Sequence, residues 1–157
     1  MSDGVWHRAN GDIVEYDDIV KKLKVHTSKN GGVYIGTDSH LATDKFIFAT
    51  VICLHNPIEK CGGTYYFQRE YIKPGKFGSL VNRILHEVNL SINIGLLLRE
   101  ANIKNIELHI DASGPDAGNA TSKFSNMLVG FAKGAGFDFK IKPDAWSSSS
   151  IADKHAK

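Results

Sequence analysis

Val33-Tyr34-Ile35-Gly36-Thr37-Asp38-Ser39-His40 is the stretch on which the reading of this chain turns. It has the form of a short apolar strand that ends in an aspartate, with small polar residues after it and a second strand beyond. At a period of two, Val33, Ile35 and Thr37 share one face and Tyr34, Gly36 and Asp38 the other. A carboxylate at the open end of a central strand can hold a metal ion or accept a proton. Taken alone, the same aspartate can simply open a turn, for which Asp is a favoured residue. Where the other acids of the chain fall decides between the two.

Downstream, residues 45–54 are apolar on both faces, which predicts a strand covered on both sides. Asn56-Pro57 and Gly62-Gly63 bracket the next connection. Residues 64–72 are rich in Tyr and Phe but interrupted by Gln68, Arg69 and Glu70, the composition of an edge strand. Three strands with such short connections predict an antiparallel meander. The turn-rich segment Lys73-Pro74-Gly75-Lys76-Phe77-Gly78-Ser79 then leads into a long helix over about 80–100, with Ser79 as its N-cap. The Gly-Lys pair lacks the spacing of a phosphate-binding loop. Lys73 and Lys76 read as solvated loop lysines, a contact to a phosphate backbone being the alternative.

The long helix carries the second acid. At about 100° per residue, Leu80, Ile84, Leu90, Ile94 and Leu98 fall within about 60° of Glu87. Asn82, His86, Asn89, Asn93 and Glu100 lie on or towards the opposite face. Glu87 therefore points into an apolar face, where an unpaired carboxylate costs on the order of several kcal/mol. It requires a cation, a hydrogen-bond partner or a raised pKa, and a structural salt bridge is the plain alternative to a functional role.

Beyond Asn102-Ile103-Lys104-Asn105, the segment Ile106 to Asp111 predicts a fourth strand that again ends in an aspartate. The helix before it is a crossover long enough for parallel pairing with the first strand. After the loop Ala112 to Gly118, a helix over about 121–134 places Phe124, Met127, Leu128, Phe131 and Ala132 on one buried face. Phe137, Phe139 and Ile141 alternate with Asp138, Lys140 and Lys142 in a fifth strand. Four serines, 147–150, precede a closing helix that carries Asp153 and for which they offer a cap. Upstream of the opening stretch, Asp17-Asp18 ahead of Ile19, Val20, Leu23 and Val25 fits a short helix with favourable N-terminal charge, ended by Lys29-Asn30-Gly31-Gly32. Trp6 is the one large apolar anchor before it.

The 157 residues, 42% hydrophobic and 23% charged, suit one globular domain over 1–157 with a short N-terminal helical extension over about 1–30. A net charge of +2 is too mild to demand a nucleic-acid partner and does not exclude one. Cys53 and Cys61 form no zinc spacing. They read as buried free thiols, although the turn between them allows cross-strand proximity. With no apolar leader and no window of membrane-spanning length, a cytoplasmic protein is the expectation.

The expected fold is thus α/β: strand-strand-strand-helix-strand-helix-strand-helix, five strands in a mixed sheet with strands 1–3 antiparallel and 4–5 parallel. Ligand sites in such sheets form at the carboxyl ends of neighbouring parallel strands. Asp38 and Asp111 would be side by side there, with Glu87 facing them and Asp153 able to close the cluster. Carboxylates so converged repel one another unless a hard divalent cation neutralises them, and all-oxygen donors favour Mg2+ or Mn2+. Two such ions about 4 Å apart are a known device for phosphodiester hydrolysis.

This element order and acid placement resemble the ribonuclease H-like superfamily, and Ile35-Gly36-Thr37-Asp38-Ser39-His40 resembles its YkuK-type group of bacterial proteins. The resemblance covers about residues 33–157; Asp111-Ala112-Ser113 and the region from Ser147 to Asp153 are similar to the other acid-bearing segments of such nucleases. It implies that Asp38 bridges two metal ions, that Glu87 and Asp111 hold one with it and that Asp153 holds the other. The attacking water would then be activated by metal coordination and the leaving oxyanion stabilised by the second ion. Asp144 and Asp116 are rivals to Asp153 as fourth ligand. His40 and His109 flank the strand-end acids as candidate substrate contacts. His155 points to a different side of its helix from Asp153 and reads as a solvated histidine. The function so implied is a divalent-metal-dependent nuclease acting on DNA, RNA or a hybrid. The alternative is a non-catalytic nucleic-acid-binding or protein-interaction module on the same fold. A small-molecule phosphotransferase is a third reading, weakened by the missing glycine loops.

Overall fold

Strand β3 (Gly32–Leu41) lies at the centre of the fold, and the two faces of the opening stretch explain why. Val33 and Ile35 are fully buried in the main core with residues of the long helix, while Tyr34 and Gly36 face the C-terminal segment. The computed structural model describes residues 4–55, 64–77, 79–114, 118 and 124–157. In chain order the remaining elements are β1 (Trp6–Arg8), β2 (Ile13–Val14), α1 (Tyr16–Ser28), β4 (Phe46–His55), β5 (Thr64–Ile72), α2 (Leu80–Glu100), β6 (Ile106–His109), α3 (Ser125–Gly134), β7 (Asp138–Lys140), a π-helical segment (Ser147–Ala152) and α4 (Asp153–Ala156). The strands form one sheet in the order β2-β1-β5-β4-β3-β6-β7.

The expected meander is present: β3 pairs antiparallel with β4, and β4 with β5. Crossover helix α2 returns the chain to pair β6 parallel to β3, and β7 adds parallel to β6. Ser79 caps α2 as its sequence suggests, its Oγ accepting from Asn82 N at 3.3 Å. β4 is buried on both faces, as its unbroken apolar run requires.

Several expectations need correction. The sheet has seven strands rather than five, because the N-terminal segment folds back as β2 and β1 and covers β5. β5 is therefore not an edge; His7 of β1 stacks on its Phe67 at 5.1 Å, and Trp6 enters the main core. β3 does not end at Asp38 but runs on to Leu41, held by β4 along its whole length. In α3, Leu128 and Ala132 are buried, whereas Met127 and Phe131 are 41% and 46% exposed. Helix α3 covers only one margin of the sheet, so a narrower stripe suffices than its apolar composition suggests. Likewise Leu80, in the first turn of α2, is exposed.

The last helical segment lies against β3 through a glycine. A Cβ on Gly36 would stand 2.5 Å from Ser148 N and 2.6 Å from Ser147 Oγ. No side-chain serine cap forms here. The Ser147 N–H instead donates to His109 Nδ1 at 3.0 Å, and Ser148 Oγ bonds back to Ala145 O at 3.1 Å. Replacing Gly36 by Ala is therefore expected to destabilise the protein by about 2–3 kcal/mol, since the obstacle is backbone and cannot rotate away. It should also move Asp153. Urea denaturation would measure the first effect; an unchanged midpoint would show that the contact is not rigid.

Candidate metal centre

Parallel pairing between β3 and β6 stops at Gly36 and His109. Two residues further along each chain are Asp38 and Asp111, released from the shared ladder at the same level. Glu87 comes from the middle of α2, on the face that covers the core side of β3. One carboxylate oxygen from each of Asp38, Glu87 and Asp111 lies within 4.8 Å of the others. Asp38 and Glu87 are only 8% and 5% exposed, and Asp111 is partly buried. Asp153, at the start of α4, is in hydrogen-bonding contact with Asp38 but stands outside this trio. Asp38 is thus the residue common to both sides of the cluster.

The electrostatics follow from this crowding. Burial, then the hydrogen bond and charge of Asp111, then Glu87 and Asp153, push Asp38 from an ordinary 3.8 up to about 9. Burial likewise lifts Glu87 from 4.5 to about 8, against the opposing pull of Ser39 and the charges of Arg83 and Lys142. Two carboxyl groups in hydrogen-bonding contact favour the protonated form of one of them, which is the direction in which Asp111 pushes Asp38. Asp153 behaves oppositely. Burial would raise its pKa, but the hydrogen bonds of Asp38 and Lys157 and the charges of Lys157 and His40 hold it low. Its Oδ2 is 3.0 Å from Lys157 Nζ.

Three supporting residues were not read from the sequence. Ser39 Oγ donates a short hydrogen bond to Glu87 Oε2 and accepts one from Arg83 Nε at 2.7 Å. A second nitrogen of Arg83 reaches Ser39 O, also at 2.7 Å. Together these fix the Glu87 rotamer. The spacing holds a partial signal for Arg83, which lies four residues before Glu87 and so on the same helix face. Lys142 Nζ ion-pairs with Asp111 Oδ1 at 2.9 Å, and here alternation misleads, because Lys142 reads as an outward residue of the last strand.

The other candidates separate clearly. Asp144 is exposed in the turn before the last helix, and Asp116 lies outside the described residues. His40 is exposed near Asp153. His109 is buried and structural: Nε2 pairs with Glu107 Oε1 at 3.0 Å while Nδ1 accepts from Ser147 N. His155 is not solvated as expected. It stacks on Phe67 at 3.8 Å and bonds the Tyr65 hydroxyl at 2.9 Å, and burial followed by the charges of Arg69, Lys154 and His7 lowers it to about 4. Cys53 is a buried free thiol, pushed up by burial; Cys61 lies outside the described residues.

The donor set is all oxygen and partly buried, and its three carboxylates lie within 4.8 Å of one another, close enough to converge on one small ion. The residues therefore suit a small hard divalent cation. A mixed sheet with an antiparallel meander, a crossover helix and acids from β3, α2 and the end of β6 defines an α/β protein with a carboxylate centre of this kind. The chain belongs to the ribonuclease H-like family, whose sequence model matches residues 15–157 and so takes in α1 as well. No curated protein and no solved structure matches it. Among the described residues, no helix is long and apolar enough to cross a membrane.

Proposed function

We propose that this protein is a divalent-metal-dependent nuclease that hydrolyses phosphodiester bonds in nucleic acid. The observation that carries the reading is the meeting of Asp38, Glu87 and Asp111 within 4.8 Å, just past the last parallel pair of β3 and β6. Family membership supports a nucleic-acid partner, and the Gly36-Thr37-Asp38-Ser39 stretch supports the YkuK-type group. In this reading Asp38, Glu87 and Asp111 would hold one Mg2+ or Mn2+ ion, and Asp153 together with Asp38 would hold a second. Bound there, the ions supply a nucleophile at neutral pH and neutralise charge on the phosphate and leaving oxygen. The chain's own task is to keep its ligands in place. Ser39 and Arg83 orient Glu87, Lys157 steadies Asp153, and the close approach at Gly36 sets where α4 begins.

A cleavage assay in Mn2+ and in Mg2+, on single-stranded, duplex, hybrid and four-way-junction substrates, tests this. Cleavage is expected with at least one substrate, to vanish in EDTA, and to fall by about a hundredfold or more in Glu87→Gln, which keeps the shape but loses the anionic donor. If no substrate is cut while Mn2+ still binds, the non-catalytic binding module becomes the better reading.

A further inference from the structure

Lys142 brings a permanent positive charge into the acid cluster. Its Nζ is 2.9 Å from Asp111 Oδ1, and its charge also acts on Asp38 and Glu87. The backbone holds it there. Ile110 N bonds Lys140 O and Lys142 N bonds Ala112 O, both at 2.9 Å, so the chain beyond β7 tracks the Asp111 segment after regular pairing has ended. The side chain is 43% exposed, whereas that of Asp111 is 15% exposed. Its stem is thus half in water while its head engages a largely buried carboxylate.

That geometry is what a cluster needing positive charge would use in the absence of an ion. The ammonium offsets the charge of the same carboxylate that a metal would need, with one charge where a metal brings two. A lysine whose side chain is already 43% exposed can move its charge into water when it leaves, so the cost of displacing it is that of one partly solvated ion pair. Resting on the metal-binding reading above, we propose that Lys142 is an internal counter-ion that competes with the divalent cation for Asp111 and thereby sets the metal affinity of the site. It swings out to solvent when the ion enters.

Mn2+ titration of the full chain, with free Mn2+ followed by electron paramagnetic resonance, tests this without reference to activity. Lys142→Met keeps the length of the stem and removes the charge. It is expected to bind Mn2+ roughly tenfold more tightly than the wild type, the scale of one unit charge at a partly solvated position. Lys142→Arg should stay near the wild-type affinity, and Lys140→Met, which removes an exposed charge from β7, should leave it unchanged. In EDTA, Lys142→Met should melt below the wild type, with saturating Mn2+ closing the gap. Equal or weaker Mn2+ binding by Lys142→Met, beside a wild type that binds, overturns the competition alone. A wild type that binds no Mn2+ overturns the metal reading and the competition together.

Discussion

Asp38→Asn is expected to reduce metal-dependent cleavage by at least about a thousandfold, equivalent to roughly 4 kcal/mol of transition-state stabilisation, while making the metal-free protein more stable at pH 8. The two effects have one cause. Asp38 is the carboxylate that touches both Asp111 and Asp153 and lies within 4.8 Å of Glu87, so every cation held by the cluster would draw on it. Asparagine keeps the volume and one acceptor oxygen but removes the charge that neutralises a metal. Without metal, Asp38, 8% exposed and facing other carboxylates, must keep a proton that the unfolded chain has released, and asparagine needs none. The substitution should stabilise the EDTA-treated protein by on the order of 2 kcal/mol at pH 8, where ionisation of Asp38 begins. Side-by-side melting in EDTA and in Mn2+ would show the crossover: the variant above the wild type in EDTA and below it in Mn2+. Loss of cleavage with lowered stability in both conditions would mean that Asp38 supports the fold rather than a metal.

What the sequence makes legible here is whatever depends on local periodicity. The two faces of β3, the doubly covered run of β4 and the anomalous Glu87 on an apolar helix face are each visible within a few turns or pleats. The meeting of Asp38 with Asp111 also follows, since a crossover helix of this length returns β6 beside β3 and sets the register of their acids. Less legible is what depends on long-range pairing by short pieces. β1 and β2 have three and two residues, too few for any period, and exist because β5 offers an open edge. Nor does composition say how much of a helix is covered: Met127 and Phe131 share the apolar spacing of Leu128 and Ala132 but lie beyond the sheet's margin. Lys142 is hidden for a similar reason. Strand alternation assigns it to solvent, but the strand has ended by Lys140, and the chain has turned its side chain towards Asp111.

The metal-free protein should lose stability as pH rises from about 6 to about 9, and Mn2+ should abolish that loss. Asp38 and Glu87 have ordinary pKa values of 3.8 and 4.5, raised in the folded protein to about 9 and about 8. Between those limits the folded chain keeps protons that the unfolded chain has released. Stability therefore falls with rising pH across this window. The contribution is fully present below about pH 4 and gone once both groups ionise in the fold. On the acid side the trend levels off, because His109 and His155 are both held below their ordinary value by burial; the protons they refuse below about pH 6.5 offset those that Asp38 and Glu87 keep. A melting profile in EDTA should consequently be level from about pH 4.5 to 6.5 and decline on the alkaline side by roughly 5 °C or more. A divalent ion replaces the protons, so its binding should release about one proton or more per ion at pH 7 and tighten up to about pH 9. Calorimetric titration of Mn2+ in two buffers of different ionisation enthalpy measures that release directly. Were the heats identical in both buffers, and the EDTA melting profile flat from pH 6 to 9, the cluster would already be fully ionised without metal. Its stability would then rest on cationic neighbours such as Lys142 and Arg83 rather than on shared protons.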